Sequence, residues 1–327
     1  IGVEARWRGT KVDRSPRETS RTTVSTAMSS KPPARSAPFL AGSLCIHVAY
    51  YITLNGAYQH GELGTTYRFH LKNAAFPCPE RSNGFETDGK KFTAEANYSD
   101  NSVLVFVPKS LAFSAKTDMV VHFHDQNTTV EEAEKNNHLI QQFVDAKRPA
   151  ILILPQLAKN AADDFGGKLE TPGGFKLFIT EILDSLAKTG RVTTVGNLIL
   201  SSHGSGSHVL ASVASVGGFE NEVKEAWIFD GLQGDLDKFE KFAKVPGRRL
   251  INLFTAGTKP KTMEFDRIMH ERGPTFYLLV DESTLPKAWP WMPAGRIFQF
   301  SVGLPHSEMM YKSNLFMRMV NATPMLK

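Results

Sequence analysis

From about residue 100 onward, short apolar runs alternate with stretches of helical period, and this alternation leaves the chain few architectures. The runs are NSVLVFVP (101–108), DMVVHFHD (118–125), AILILPQ (150–156), LIL (198–200), EAWIFDGL (225–232), RRLINLFTAG (248–257), TFYLLVDES (275–283) and GRIFQFSVGLPHS (295–307). Between them lie helical stretches at 129–146, 173–188, 206–216, 235–244 and 261–272, and a last one at 308–320. In 129–146 the stripe Val130, Ala133, Leu139, Ile140 and Phe143 repeats at helical spacing. Short, continuous apolar strands joined through helices imply a mostly parallel sheet covered on both faces. The fold class expected is therefore α/β, a three-layer sandwich with a mostly parallel central sheet. In such sheets ligands sit beyond the carboxyl ends of the strands. His124, Asp125, Ser202 to Ser205, Asp230 and Asp281 follow strands directly, and His306 follows one after a short turn.

Upstream the pattern changes. Residues 1–35 hold eight Lys/Arg and three acidic residues, which accounts for the whole net charge of +5, so the remainder is neutral. A neutral folded part gives no reason to expect a nucleic-acid surface. Residues 1–37 are rich in Ser, Thr, Arg and Pro without apolar period, and are expected to be a disordered basic tail. Residues 38–99 form an N-terminal extension or β-rich addition, and 100–327 the main domain. The moderately apolar run 38–58 is short and weak for a membrane span, so membrane association is not expected. It could be a signal segment or anchor if translation starts at Met28, which would make the protein secreted or membrane-anchored; a buried strand pair is the other reading. The two cysteines, Cys45 and Cys78, exclude a disulfide framework and leave open one bond or two free thiols.

The stretch SSHGSG at 201–206 carries the functional question. Strand, then Ser/His/Gly, then helix is the layout of a nucleophile elbow. Centring the elbow on Gly204 puts glycine where the nucleophile belongs. Ser205, with Gly204 before it and Gly206 after it, could serve if the turn shifts by one residue; otherwise it caps the following helix. Ser202 would point along the strand, and His203 reads as packed or hydrogen-bonded. His306, on the loop after the last strand, is the candidate base. Asp230 is the acid to orient it, and Asp281 the rival. We read His122 and His124 as facing opposite sides of their strand, and with only scattered His and acids expect no metal. No cofactor is expected; GGKLETPGGF lacks the Gly-Lys-Ser/Thr ending of a phosphate loop. KAWPWMPAG (287–295) could line a pocket.

The segments VVHFHDQNTT, AILILPQ, GKLETPGGF, LILSSHGSGSHV, WIFDGLQGD and GLPHSEMM together resemble, in order, an α/β-hydrolase-like group of bacterial esterases, over roughly residues 100–320. The resemblance implies the α/β-hydrolase fold, with an oxyanion-hole turn at His124-Asp125, an elbow at 202–206, an acid at Asp230 and a base at His306. Where the group reads Gly-His-Ser-Gly-Gly, this chain reads Ser202-His203-Gly204-Ser205-Gly206, and it has Asp125 in place of glycine. Two functions follow as expectations. One is a protein with impaired or lost serine-hydrolase catalysis that binds a small ligand or partner in the cleft. The other is an ester or amide hydrolase using Ser205, His306 and Asp230. A bare apex at Gly204 is expected, with the Ser205 hydroxyl turned to backbone N–H groups and His306 facing empty space or water.

Overall fold

The structure is a computed structural model that describes residues 53–54, 57–59, 62–272, 277–281 and 297–326. Its elements, in chain order, are β1 (Thr53–Leu54), β2 (Ala57–Gln59), β3 (Gly64–His70), β4 (Phe85–Thr87), β5 (Lys90–Phe92), α1 (Ala94–Asn97), β6 (Ser102–Pro108), β7 (Lys116–Phe123), α2 (Val130–Asn137), α3 (Leu139–Asp145), β8 (Ala150–Pro155), α4 (Gly174–Ala187), β9 (Thr194–His203), α5 (Gly206–Val216), β10 (Val223–Phe229), α6 (Leu236–Lys244), β11 (Arg249–Phe254), α7 (Lys259–Arg272), β12 (Tyr277–Asp281), β13 (Ile297–Ser301) and α8 (Leu315–Ala322). Apart from the small β4–β5 hairpin, the strands form one sheet in the order β1-β2-β3-β6-β8-β7-β9-β10-β11-β13-β12. From β8 to β12 all neighbours are parallel, whereas β6 runs antiparallel to both β3 and β8. From β3 onward, that order, with β6 alone reversed and the elbow after the central β9, is the α/β-hydrolase fold. Residues 53–70 thus extend the same sheet through β1, β2 and β3.

Strand period explains the two cores. Along β6, Val103, Val105 and Val107 face one way and Leu104 and Phe106 the other, and both sets are buried. The first face is covered by α4 through Phe175, Phe178 and Ile182, and by α5, α6 and α7 through Val209, Phe239 and Phe265. The second face is covered by α2, α3 and α8 through Val130, Phe143, Phe316 and Met319. At about 25 cal/mol per Å² of apolar surface, each such aromatic or aliphatic side chain contributes roughly 1.5–3 kcal/mol of burial.

Two helices differ from the expected spans. The stripe at 129–146 is split at His138, whose left-handed φ of 51° ends α2 and starts α3. The final helix begins only at Leu315, because Ser313 and Asn314 are left-handed, with φ of 73° and 50°. Periodicity does not register single residues of positive φ. Cys78 is a buried free thiol, pushed up to about 11 first by burial and then by Glu80. Cys45, the basic tail, most of 38–58 and the loop 287–295 lie outside the described residues. No helix among the described residues is long and apolar enough to cross a membrane.

Candidate functional site

The site is assembled at the carboxyl ends of β7, β9 and β10. β7 and β9 are paired with Phe123 opposite Ser202, and β9 and β10 with His203 opposite Phe229. The residues that leave these strands, Asp125, Gly204 and Asp230, are therefore neighbours. The β9 turn needs its glycines. Gly204 has φ +51°, and Gly206 packs so closely on β7 that a Cβ there would lie 2.7 Å from the His124 carbonyl oxygen.

Above Gly204 lies the carboxylate of Asp125. A Cβ at position 204 would overlap it, only 2.6 Å from Oδ2. Asp125 Oδ1 accepts from the backbone N–H of Ser205 at 2.7 Å and from that of Gln126 at 2.9 Å. These are the positions from which an elbow enzyme draws its oxyanion hole: the residue after the apex and the loop after the third parallel-type strand. Asp125 Oδ2 accepts from His306 Nε2 at 3.0 Å. His306 Nδ1 donates to Asp230 Oδ2 at 2.8 Å. The Thr255 N–H and hydroxyl and the Thr258 hydroxyl donate to Asp230 in turn. The His203 ring stacks on His306, with centroids 4.4 Å apart and planes 15° apart, and its Nε2 meets the His306 carbonyl at 3.1 Å.

Charges follow from these contacts. His306 is raised from 6.5 to about 9 by its bonds to Asp125 and then Asp230, which outweigh its partial burial. With both ring nitrogens donating, it is an imidazolium near neutral pH. Burial alone would raise Asp230, yet bonds from His306, Thr258 and Thr255 hold it down to about 2. Burial likewise opposes ionisation of Asp125, and bonds from His306 and Ser205 with the charge of His203 hold it well below the usual carboxylate range. His203 itself is lowered to about 4 by burial and by the facing His306.

The sign of the pH dependence follows. The stability that His306 contributes is fully present below pH 6.5 and is lost as the pH rises through about 9. That from Asp230 is present above its ordinary value and is lost as the pH falls towards 2. The groups facing His306 are Asp125, Asp230 and His203. We expect the imidazole protons of His306 to titrate near 9 by NMR, with a parallel fall in Tm on the alkaline side. Asp125→Asn should move the midpoint down; a midpoint near 6.5 in the unaltered protein would contradict the described contacts.

The other candidates are placed as follows. The Ser205 hydroxyl accepts from the Gln126 N–H at 2.8 Å, and makes no side-chain bond that caps α5. No hydrogen bond joins Ser205 to His306 among the described contacts, and the two line different cavities. His306 lines one of about 190 Å³ with His122, His124, Asp125 and His203, and Ser205 lines one of about 350 Å³ with Ser207, His208 and Asp235. Ser202 is fully buried on β9, its hydroxyl 3.4 Å from the Trp227 carbonyl. Asp281 ends β12, the edge strand beyond β13, and it is Asp230 that meets His306.

Two expectations need correction. The apex is not bare: Asp125 fills the volume above Gly204 and accepts from His306 Nε2, although the His306 side chain is still 41% exposed. His122 and His124 do not face opposite sides, since residues two apart on a strand share a face, and both line the 190 Å³ cavity. Asp125, His203 and His306 also offer atoms within 4.8 Å of one another that could hold a cation. In the described site both ring nitrogens of His306 are engaged by Asp125 and Asp230. The sequence reading missed Asp125 as a partner of His306, and His203 as its stacking neighbour. The available signal was the pairing of a glycine apex with an acid at the oxyanion turn.

No family model matches the chain, and no curated protein matches it. Solved structures do resemble it. An S-formylglutathione hydrolase from Agrobacterium tumefaciens is 8% identical at a TM-score of 0.47, over 85% of this chain and 99% of that one. A ferulic acid esterase is 14% identical at 0.43, over 67% and 92%. The feruloyl esterase module from Clostridium thermocellum is 11% identical at 0.43, over 78% and 92%. Likeness of this degree says nothing of substrate; the fold assignment rests on the strand order and elbow of this chain.

Proposed function

We propose that this chain is an α/β-hydrolase-fold protein without serine-hydrolase catalysis, whose cleft beside the elbow holds a small molecule. One observation carries the reading: the Asp125 carboxylate stands where a nucleophile on residue 204 would project, and it takes the two N–H donors that an oxyanion would need. Acyl transfer depends on those donors being free for the charge that develops on the substrate oxygen. A fixed anion in their place opposes that charge.

The second reading is an ester or amide hydrolase built on Ser205, His306 and Asp230. In its favour stands the bond between His306 and Asp230. Against it, the Ser205 hydroxyl is engaged with Gln126, and the remaining nitrogen of His306 with Asp125. The histidine-lined cavity of about 190 Å³ is the place for the ligand, and its size suits a molecule of a few heavy atoms. A fluorophosphonate probe tests this, because it needs an activated serine and no knowledge of substrate. We expect no labelling of the unaltered protein. Labelling that disappears in Ser205→Ala would overturn the reading and make Ser205 the nucleophile.

A further inference from the structure

We propose that Asp125, His203 and His306 bind one transition-metal dication, zinc being the best match, at the histidine-lined cavity. The cation takes the place of the proton held between Asp125 Oδ2 and His306 Nε2. The inference rests on the reading that His306 is not the base of a serine triad.

Distance is the first argument. The three side chains offer ligand atoms that all lie within 4.8 Å of one another. Asp125 Oδ2 and His306 Nε2 are closer still, at 3.0 Å. Two donors about 2.1 Å from zinc at a tetrahedral angle stand about 3.3 Å apart, so this edge of the site opens only slightly to admit the ion. A turn of the His203 ring about its Cβ–Cγ bond, out of the stack on His306 and into the cavity that both rings line, closes the third side.

The second argument is how the other polar atom of each ligand is held. A ligating imidazole is oriented by donating its remaining N–H, and a ligating carboxylate by bonds to its other oxygen. His306 Nδ1 donates to Asp230 Oδ2 at 2.8 Å, and Asp230 is itself fixed by Thr255 and Thr258, which turns Nε2 to the metal. His203 Nε2 lies 3.1 Å from the His306 carbonyl oxygen, which can only accept, so Nε2 carries the proton and Nδ1 keeps its lone pair. Asp125 Oδ1 takes the N–H groups of Ser205 and Gln126 and leaves Oδ2 to the ion. All three ligands are thus anchored from behind.

The donor set selects the ion. Two imidazoles and one carboxylate suit zinc and its first-row neighbours, whereas calcium and magnesium require a shell of oxygens. Three protein ligands leave a fourth position open. His122 lines the same cavity, is buried, and has an Nε2 without a hydrogen-bond partner among the described residues. Its Nδ1 lies 3.0 Å from the Ser201 hydroxyl; when Nδ1 accepts that bond, Nε2 carries the proton and can donate to a water or small anion on the open position. The exchange balances: the dication enters, the Nε2 proton of His306 leaves to solvent, and the charge of the site rises by one.

The test uses the full, untagged chain, stripped of metal by a chelator and titrated at neutral pH with Co²⁺ and then Zn²⁺. The expected result is uptake of one equivalent of Co²⁺ with visible d–d bands, bleached by one equivalent of Zn²⁺ and untouched by Mg²⁺. In the unaltered protein Co²⁺ should shift and broaden the imidazole proton signals of His203 and His306, a readout that needs no variant. Asp125→Asn and His203→Gln should each weaken Zn²⁺ binding by more than about 100-fold, and Asp230→Asn, one bond behind a ligand, by about 10–100-fold. His70→Gln, exposed on β3, should leave it unchanged. No stoichiometric uptake, uptake that leaves both imidazole signals in place, or uptake that persists in Asp125→Asn and His203→Gln overturns the proposal. Absence of both metal uptake and fluorophosphonate labelling refutes this inference and leaves the proposed function intact, whereas Ser205-dependent labelling refutes the proposed function.

Discussion

Gly204→Ser alone should destabilise the protein by about 2–4 kcal/mol, from overpacking and a side chain at positive φ together. The added Cβ has no room while Asp125 is present, since it would lie 2.6 Å from Oδ2. Moving the carboxylate away would strip the N–H groups of Ser205 and Gln126 of their acceptor and break the bond to His306. Pairing the change with Asp125→Gly removes the overlap and frees both donors. The double variant should regain most of the lost Tm and, unlike either single variant, react with the fluorophosphonate probe. The serine would then stand beside His306, already held by Asp230. If Gly204→Ser melts with the unaltered protein, the carboxylate is not over the apex.

The other large effect lies below the site. Glu225 of β10 and Arg249 of β11 are opposite each other in the sheet, form an ion pair at 3.0 Å, and are 0% and 2% exposed at their side chains. Trp227 Nε1 also donates to Glu225 at 2.9 Å. Arg249→Leu leaves the carboxylate buried with its main counter-charge gone, and should cost about 3–5 kcal/mol in denaturant unfolding. Burial already pushes Glu225 above the ordinary carboxylate value, and the loss of Arg249 should push it further. The variant should therefore lose further stability as the pH rises. Glu225→Leu with Arg249→Leu should recover much of the loss, because no charge then stays unmatched. A single variant as stable as the parent would mean that the pair is solvated.

Much of the architecture is legible because it is written locally. The run Ala150-Ile-Leu-Ile-Leu154, short and stopped by Pro155, reads as a buried strand, and the stripe of Phe175, Phe178, Ile179 and Ile182 as the buried face of a helix, and both form as read. The strand–glycine–helix transition at 203–206 was likewise visible. Breaks at His138 and at Ser313-Asn314 were not, because left-handed conformation in residues other than glycine has no periodic signature.

By itself, the sequence determined the layered α/β class, the order of its elements, and a glycine at the apex of the turn after the central strand. Only the tertiary structure decided what stands over that glycine. Asp125 is 80 residues from Ser205 and 181 from His306, and no local rule couples them. Their meeting depends on the parallel register of β7 with β9, which brings two strand ends side by side, and on the path that returns His306 to that edge. What an acid at an oxyanion turn does there depends on where its two oxygens lie. That position is set by packing across the sheet, which sequence spacing does not encode.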